Sequence, residues 1–154
     1  MKSIVLTGIL AALLGTCASS LAADLAAGTW EMNHEKSRPS APTKRAVVTI
    51  RVEGNREESH TRIVRMDGQE STATVTFIRD GKEHPYNGSG GGYDSYVARD
   101  VNRYESITEF KKAGKVVRTA RTTYSKDGKV RTVSAKGVDD RNKPYDILLV
   151  FDRQ

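Results

Sequence analysis

Cysteine is almost absent from this sequence. The 154 residues include one, Cys17, which lies among the first 23 positions. Residues 24–154 therefore cannot form disulfides, supply a thiolate nucleophile or build a Cys-based metal site. Their fold has to be stabilised by core packing and by the hydrogen bonds of secondary structure.

Long apolar runs are also scarce. An apolar run of 11 residues from Ile4 to Leu14 falls well short of the roughly 20 residues of a membrane-spanning helix, so we expect no transmembrane segment. Lys2 precedes the run, no acidic residue occurs in the first 23 positions, and small residues follow at 20–23. This order is typical of a secretory signal peptide. We predict that residues 1–23 are removed and that the mature protein is soluble, in the periplasm or secreted.

The segment Leu14-Gly15-Thr16-Cys17 partly resembles a bacterial lipobox, in which the Cys is lipidated. Thr directly before the Cys is atypical, and small residues suited to cleavage follow it. We therefore expect ordinary cleavage after Ala22 or Ala23 rather than lipidation at Cys17.

Positively charged residues are in modest excess. Residues 24–154 carry 24 Lys and Arg against 19 Asp and Glu, a net charge of +5. The length of this segment fits one domain with one hydrophobic core. The basic residues are dispersed and interleaved with acids, which is typical of a solvated exterior and lacks the basic stripe of nucleic-acid-binding proteins. We therefore expect no nucleic-acid partner. The basic residues that we place on the exterior are Arg51, Arg56, Arg62, Arg65, Arg79, Lys111, Lys112, Arg118, Arg121 and Arg131.

Helical periodicity is missing after residue 23, and turn signals recur instead. Pairs such as Asp67-Gly68 and Asp127-Gly128 separate alternating polar and apolar runs at a spacing of about 13 residues. Asp-Gly suits hairpin turns because both central residues of a type I′ turn need positive φ. Consecutive hairpins form one antiparallel sheet. Exposed sheet edges invite association with other chains, and closing the sheet into a barrel removes them. We therefore predict an all-β, antiparallel up-and-down barrel of about 8–10 strands. The predicted strands are 28–34, 45–53, 56–66, 70–79, 82–87, 93–99, 102–112, 115–125, 129–138 and 144–153.

Two stretches interrupt the strand pattern. Ser and Pro residues at 35–44 predict an irregular connector that crosses one end of the barrel. The run Asn-Gly-Ser-Gly-Gly-Gly at 87–92 predicts a mobile loop that gates the mouth of the barrel. A phosphate-binding loop would lead into a helix, and nothing in the sequence predicts one there.

Alternation assigns faces to the first and last predicted strands. Trp30, Met32 and His34 share one side of the first strand, and we expect that side to face inward. The last strand places an arginine in line with its largest apolar residues, which implies a partner for the charge. The residues that share this face are Ile147, Leu149, Phe151 and Arg153.

Gly28-Thr29-Trp30 opening the first strand, with Arg153 ending the last, resembles the lipocalin and fatty-acid-binding superfamily of small barrels. The resemblance implies that Trp30 closes one end of the barrel and that Arg153 packs over its ring, a cation–π contact worth about 0.5–2 kcal/mol. A closer resemblance, spanning nearly the whole mature chain, is to small secreted bacterial lipocalin-like proteins that mostly have no assigned function. Among the segments that carry it are Asp80-Gly81-Lys82, Ser125-Lys126-Asp127-Gly128-Lys129 and Lys143-Pro144. These motifs are turns and strand ends, so they imply a fold and no reaction.

Few residues suggest catalysis or metal binding. The histidines are His34, His60 and His84, and no two stand at a ligand-like spacing, so we expect no metal and no cofactor. No Gly-x-Ser-x-Gly motif or recognisable pair of carboxylates is present, and we name no catalytic residue.

Aromatic residues concentrate around the glycine run at 87–92. Such rings could line a lumen that binds a small apolar or aromatic molecule, or they could simply fill the core. We also consider that a lumen histidine contributes to binding. The candidate binding residues are Phe77, Tyr93, Tyr96, Tyr104, Phe110, His60 and His84, with Tyr86 beside them.

These observations favour a barrel that binds a small, partly apolar ligand in its lumen without changing it. One alternative is an enzyme, such as an isomerase, cyclase or hydrolase, that acts on a hydrophobic substrate in the same lumen, with His60 or His84 as acid–base group. Another is an envelope protein-interaction or inhibitor module, which would need an exposed apolar patch instead of a cavity. The oligomeric state is left open.

Overall fold

The hairpins expected from the turn spacing are present in the computed structural model, which describes residues 25–139 and 141–154. The predicted signal peptide, with Cys17, lies outside these residues. Within them, no helix has the length and apolar character needed to cross a membrane. The strands are β1 (Gly28–Met32), β2 (Thr43–Glu53), β3 (Arg56–Arg65), β4 (Glu70–Ile78), β5 (Glu83–Pro85), β6 (Ser95–Asn102), β7 (Glu105–Lys112), β8 (Lys115–Tyr124), β9 (Val130–Val138) and β10 (Pro144–Arg153).

The strands form one antiparallel sheet in the order β4-β3-β2-β1-β10-β9-β8-β7-β6-β5. Strands adjacent in the sheet are also adjacent in sequence, except that β1 pairs with β10 and places Trp30 opposite Arg153. In the part of the chain that the structure describes, no ladder joins the outer strands β4 and β5. The predicted all-β, up-and-down barrel is therefore confirmed, with ten strands and an incomplete closure.

Successive hairpins place their connections alternately at the two ends of the barrel. One end, called the mouth, includes the connector 33–42, the turn 66–69 and the loop 86–94. The opposite end, called the floor, includes residues 25–27 and the turn 125–129. The two ends differ in packing, because the floor is filled and the mouth is not.

Trp30 fills the floor. Its side chain is fully buried, and the indole Nε1 donates to the carbonyl of Ala26 at 2.9 Å. The guanidinium carbon of Arg153 lies 4.2 Å from the centre of the Trp30 ring, a cation–π contact. Gly28 has φ +131°, and a Cβ there would lie 2.6 Å from Nη1 of Arg153, so glycine leaves the space that the arginine occupies. These contacts join the first strand to the last.

Side chains bridge the gap left between β4 and the strands that follow it. The hydroxyl of Tyr96 accepts a hydrogen bond from the backbone N–H of Ile78 at 2.8 Å. The side-chain oxygen of Asn87 accepts one from the backbone N–H of Thr76 at 3.2 Å. The rings of Phe77 and Tyr96 meet edge to face at 5.0 Å. Closure at this seam is thus made by side chains, whereas the strand pattern predicts a continuous sheet.

Arg79 lies at the floor end of the same seam. Its side chain is only 6% exposed and forms ion pairs with Glu57, which is also buried, and with Asp100 at 3.1 Å. The prediction of an exterior position for Arg79 is wrong, because the two carboxylates compensate its charge inside the fold. The pairs link β3 to β6 across the gap.

The first strand is shorter than predicted and ends at Met32. The backbone N–H of Asn33 donates to the carbonyl of Val150 at 2.8 Å, and the Asn33 side chain accepts from the backbone N–H of Lys36 at 3.2 Å. This turn leaves His34 exposed, so its predicted place on the inward face is wrong.

The connector is held to β10 before it crosses the mouth. The backbone N–H of Arg38 donates to the carbonyl of Leu148 at 2.6 Å, and Ser37 Oγ accepts from the backbone N–H of Val150 at 2.9 Å. The residues that follow, 39–43, border the opening of the barrel. Their two prolines fix φ in a segment that otherwise has few hydrogen bonds.

Candidate functional site

The barrel encloses open space below its mouth. A chamber of about 750 Å³, here the larger chamber, lies between the connector and strands β1, β2, β3, β9 and β10. Its walls are mainly aliphatic and contain few ionisable groups. The lining residues are Met32, Pro39, Ser40, Ala41, Pro42, Thr43, Ala46, Val48, Ser59, Thr61, Ile63, Arg65, Met66, Asp67, Ser71, Arg131, Val133, Ile147, Leu149 and Phe151.

A smaller chamber of about 410 Å³ lies on the other side of the lumen, against β4, β6, β7 and β8. Phe77, Tyr86 and Phe110 contribute rings to it, and Ser106 and Thr108 contribute hydroxyls. The two chambers are contiguous because they share wall residues on β3 and β9. The shared residues are Thr61, Ile63, Arg131 and Val133.

Arg131 stands where the two chambers meet. Its guanidinium carbon lies 5.3 Å from the centre of the Phe151 ring. Its Nε is buried and has no hydrogen-bond partner among the described residues, and no carboxylate of that part of the chain pairs with it. In the described part of the chain, the Arg131 guanidinium therefore contacts the Phe151 ring and faces the lumen, with no carboxylate beside it.

Arg118 is the second lumen arginine. Its guanidinium carbon lies 5.1 Å from the centre of the Phe110 ring, and Nη1 is 3.5 Å from the hydroxyl of Tyr93, at the limit of a hydrogen bond. Its Nε, like that of Arg131, is buried without a partner in residues 25–139 and 141–154. Both side chains thus present unpaired donors to the smaller chamber.

The prediction that Arg118 and Arg131 lie on the exterior is wrong. A dispersed set of basic residues is usually solvated, but strand parity places these two on the inward faces of β8 and β9. Arg131 shares its parity with the buried Val133 and Ala135, and Arg118 shares its parity with the buried Ala120. Parity is the sequence signal that could have found them.

Tyr145 is a further group that the sequence reading missed. It stands on β10 opposite Gly137, where a Cβ would lie 2.9 Å from the Tyr145 hydroxyl, so glycine makes room for the phenol. Burial, together with a hydrogen bond with Tyr93, raises the pKa of Tyr145 to about 12. Burial also raises the pKa of Tyr86 and of Tyr96. These phenols stay protonated at neutral pH and serve as hydrogen-bonding groups, and they are poor bases.

The shift at Tyr145 predicts a late step in an alkaline titration. The folded state holds this proton more tightly than the unfolded chain, whose phenol has a pKa near 10.0, so the free energy of unfolding falls as pH rises from that value to about 12. Following tyrosinate absorbance should show one phenol that ionises last, and Tyr145→Phe should remove that phase. A Tyr104→Phe control should retain it, and a titration in which both variants lose the same phase would contradict the assignment.

The structure brings most of the predicted aromatic residues together. Ring centres are 4.7 Å apart for Tyr93 and Phe110, 6.0 Å for Phe77 and Phe110, and 5.4 Å for Tyr86 and Tyr93. Phe77 and Phe110 face the smaller chamber, whereas Tyr93 and Tyr96 pack behind it. The cluster therefore seals the seam and supplies one wall, and the larger chamber is lined by aliphatic side chains.

The other predicted binding residues lie apart from the chambers. His60 is on the outer face of β3, exposed, with Nδ1 3.0 Å from the hydroxyl of Thr74, so its predicted place in the lumen is wrong. His84 is at the seam, with Nε2 2.9 Å from Asp80 and its ring 5.8 Å from that of Tyr96. Tyr104 lies in the turn after β6, half-buried, 1 residue before β7 begins. Neither His60 nor Tyr104 borders either chamber.

The glycine run at 87–92 folds around two tyrosines. A Cβ on Gly88 would overlap the ring of Tyr86, and one on Gly91 would overlap the ring of Tyr93. The loop therefore packs its rings against its own backbone at the mouth. This packing differs from the open gate that composition predicts.

Gly91→Ala should cost more stability than Gly90→Ala. Gly91 has φ +75° and Gly90 has φ +93°, so alanine at either position strains the backbone and lowers the free energy of unfolding by about 1–2 kcal/mol. Only Gly91 faces the Tyr93 ring, while a Cβ on Gly90 meets nothing within 4 Å. We expect about 1–2 kcal/mol of further destabilisation at Gly91 in urea unfolding, as is usual for a steric clash. Equal losses for the two variants would contradict the packing of this loop.

In residues 25–139 and 141–154, no group of three or more His, Cys, Asp or Glu side chains converges as a metal site would require. Of the carboxylates that border the chambers, Glu57 is paired with Arg79, and Asp67 accepts a hydrogen bond from the backbone N–H of Gln69.

Comparison with known proteins bears on the fold. No protein-family model and no curated protein sequence matches this chain. Among solved structures, the chain is similar to zebrafish ileal bile acid-binding protein complexed with cholic acid, with 14% identity and a TM-score of 0.55. The match covers 84% of this chain and 99% of that one. The fold is a calycin-type barrel. A weaker similarity, with 11% identity and a TM-score of 0.40 over 84% of this chain and 71% of the other, is to the siderocalin Ex-FABP, described as having dual ligand specificities.

Proposed function

We propose that this barrel binds a small, partly apolar molecule in its lumen and releases it unchanged. The observation that carries the proposal is the larger chamber, whose volume of about 750 Å³ lies within the range of small-molecule sites. Ile147, Leu149 and Phe151 give it an apolar wall, and the mouth gives access from solvent. A barrel stabilised only by its core would have filled this space, because close packing is the rule in protein interiors.

The comparison adds support from fold alone. Zebrafish ileal bile acid-binding protein, whose structure contains cholic acid, has the same type of barrel. At 14% identity the likeness says nothing about which ligand this chain takes. It supports the proposal that a barrel of this architecture can bind a small molecule.

Binding without chemistry is supported by the state of the lumen side chains. The phenols near the smaller chamber have raised pKa values, and Glu57 is occupied by Arg79. A general acid or base would need a group poised near neutral pH, and the raised pKa values of the phenols are far from it. The signal-peptide pattern at 1–23 supports a site of action in the periplasm or outside the cell.

Two adjacent substitutions on β3 test whether the lumen is the binding site. Thr61 borders both chambers, whereas His60 points outward from the same strand. Thr61→Trp should fill the junction and weaken binding of phenylnaphthylamine, a neutral apolar fluorophore, by about tenfold or more. His60→Trp, an equally large change on the outer face, should leave the affinity unchanged.

The fluorophore titration has a clear contrary outcome. Circular dichroism first establishes that both variants keep the sheet. If folded Thr61→Trp protein then binds the fluorophore as the wild type does, the lumen is not the binding site and the proposed function is wrong.

A further inference from the structure

The smaller chamber carries positive charge that its walls do not neutralise. Its charged lining residues are Glu57, Arg79, Arg118 and Arg131. Glu57 is paired with Arg79, which has Asp100 as a second partner. Arg118 and Arg131 have no carboxylate partner among the described residues, and the Nε of each is buried without a hydrogen bond.

Two unpaired guanidinium groups are costly in a confined space. Both side chains are half-buried, and even partial burial of a charge without a counter-charge is unfavourable, so folded proteins normally pair or expose such groups. Here the aromatic faces of Phe110 and Phe151 compensate the charges in part. The remaining donors face the lumen, where a bound anion would satisfy them.

The two arginines stand at different depths. Arg118 pairs with Gly137 across β8 and β9, whereas Arg131 lies opposite Tyr124. Gly137 and Arg131 are six residues apart on β9, which corresponds to about 20 Å of strand at the usual rise per residue. Arg118 is therefore near the mouth and Arg131 near the floor.

The surroundings of the two positions also differ. Arg118 has the hydroxyl of Tyr93 beside it, and Tyr93 in turn bonds with Tyr145, so polar donors accompany the charge near the mouth. Arg131 is flanked by Phe151 and by the aliphatic wall that the chambers share. The wall between the two cationic positions is partly apolar. Phe110, Ala120 and Val133 supply carbon surface, and the hydroxyls of Ser106, Thr108 and Thr122 add polar groups.

We infer that the ligand of this lumen is an elongated, mainly apolar molecule with two acidic groups, one bound by Arg131 and the other by Arg118. The inference rests on the proposed function and names its ligand class. A monoacid would leave one guanidinium unpaired, whereas a diacid neutralises both. Because arginine side chains are long, the distance between the two acidic groups of the ligand is shorter than the separation of the two arginines along the backbone. Affinities measured for ligands of increasing chain length determine that distance.

The probes are α,ω-dicarboxylic acids of about 8 to 16 carbons, a range bounded by the strand separation, with monoacids and diols of matched length. Isothermal titration calorimetry should rank the diacid that spans both arginines above the monoacid of matched length by about tenfold or more, the gain expected for one further charged hydrogen-bonded contact. Affinity should peak at one chain length. The diol should bind most weakly.

Substitution of each lumen arginine tests whether it binds one of the two acidic groups of the ligand. Arg131→Met and Arg118→Met should each reduce diacid affinity to the level of the monoacid and leave diol affinity unchanged. Lys136→Met on β9 and Arg121→Met on β8 are matched controls, since these side chains are 78% and 53% exposed on the outer face. Neither control should alter the affinity for the diacid.

Three possible results distinguish failure of the diacid inference from failure of the proposed binding function. Diacids that bind no better than monoacids overturn the inference while leaving the lumen as a binding site. Equal losses in the lumen variants and the outer controls overturn it as well, because the effect would then be long-range charge. If diacids, diols and phenylnaphthylamine all fail to bind, the proposed function itself is wrong.

Discussion

Replacing Arg153 with Met should lower the free energy of unfolding by about 3–5 kcal/mol. The guanidinium donates to three carbonyl oxygens, those of Leu25, Ala27 and Gly128, at 2.6–2.7 Å, and it covers the Trp30 ring. Methionine keeps much of the side-chain volume but leaves the carbonyls unpaired and removes the cation–π contact. Urea unfolding followed by Trp30 fluorescence measures the loss.

Two further variants separate the contacts of Arg153 from its charge. Arg153→Lys keeps the charge but cannot donate to all of these carbonyls, so we expect an intermediate loss. Arg121→Met removes a surface arginine that is 53% exposed and pairs with Glu105, and we expect less than about 1 kcal/mol. Similar losses for Arg153→Met and Arg121→Met would show that the floor does not depend on Arg153.

Replacing Arg79 with Met should have an effect of similar size, about 3–5 kcal/mol. The side chains of Arg79 and Glu57 are 6% and 11% exposed, so the substitution leaves Glu57 as a buried carboxylate without its counter-charge. Asp100 loses a partner as well, but it is more exposed. The measurement is again the free energy of unfolding in urea.

The double variant Arg79→Met/Glu57→Gln tests the reason for that loss. If the cost comes from an uncompensated carboxylate, the double variant should be more stable than Arg79→Met alone, because the neutral amide needs no counter-charge. A double variant that is as unstable as the sum of the single changes would mean that Arg79 acts through packing instead. The seam would then be held by contacts such as Phe77 with Tyr96.

Turn chemistry explains how much of the fold could be predicted. The Asp-Gly pairs do mark hairpins, and Gly68 and Gly128 have φ values of +84° and +68°, but Asp67 and Asp127 do not have positive φ. The type I′ geometry predicted for these turns is therefore wrong, because only the glycine adopts the left-handed conformation. Each turn fixes where one strand ends and the next begins, so the predicted strand bounds agree with the observed ones to within a few residues. Asn142 has φ +58°, a conformation that asparagine tolerates better than most residues.

The seam could not be predicted from local pattern, because it depends on which strands meet after the sheet has curled. Alternation assigns Phe77 to the inward face but does not say that Tyr96 will lie 5.0 Å away from it, across an unpaired edge. The aromatic residues were therefore expected around an open lumen, whereas most of them close the gap. Register across distant strands is a tertiary property.

The site was predicted less well than the fold, for a physical reason. Composition places arginines outside, and that expectation holds for Arg62 and Arg121, which are about half exposed and paired with acids. Strand parity contradicts it for Arg118 and Arg131. Where parity and polarity disagree, an inward-facing charge without a counter-charge indicates a site, because folding alone gives no reason to place it there.

The most direct test of the central claim is native mass spectrometry of the protein isolated from the cells that produce it. A lumen that binds a small molecule predicts a discrete added mass on the wild-type protein, retained by His60→Trp and absent from Thr61→Trp. The bare polypeptide mass from wild-type protein, or an added mass that Thr61→Trp retains, would contradict the claim that the lumen is a binding site.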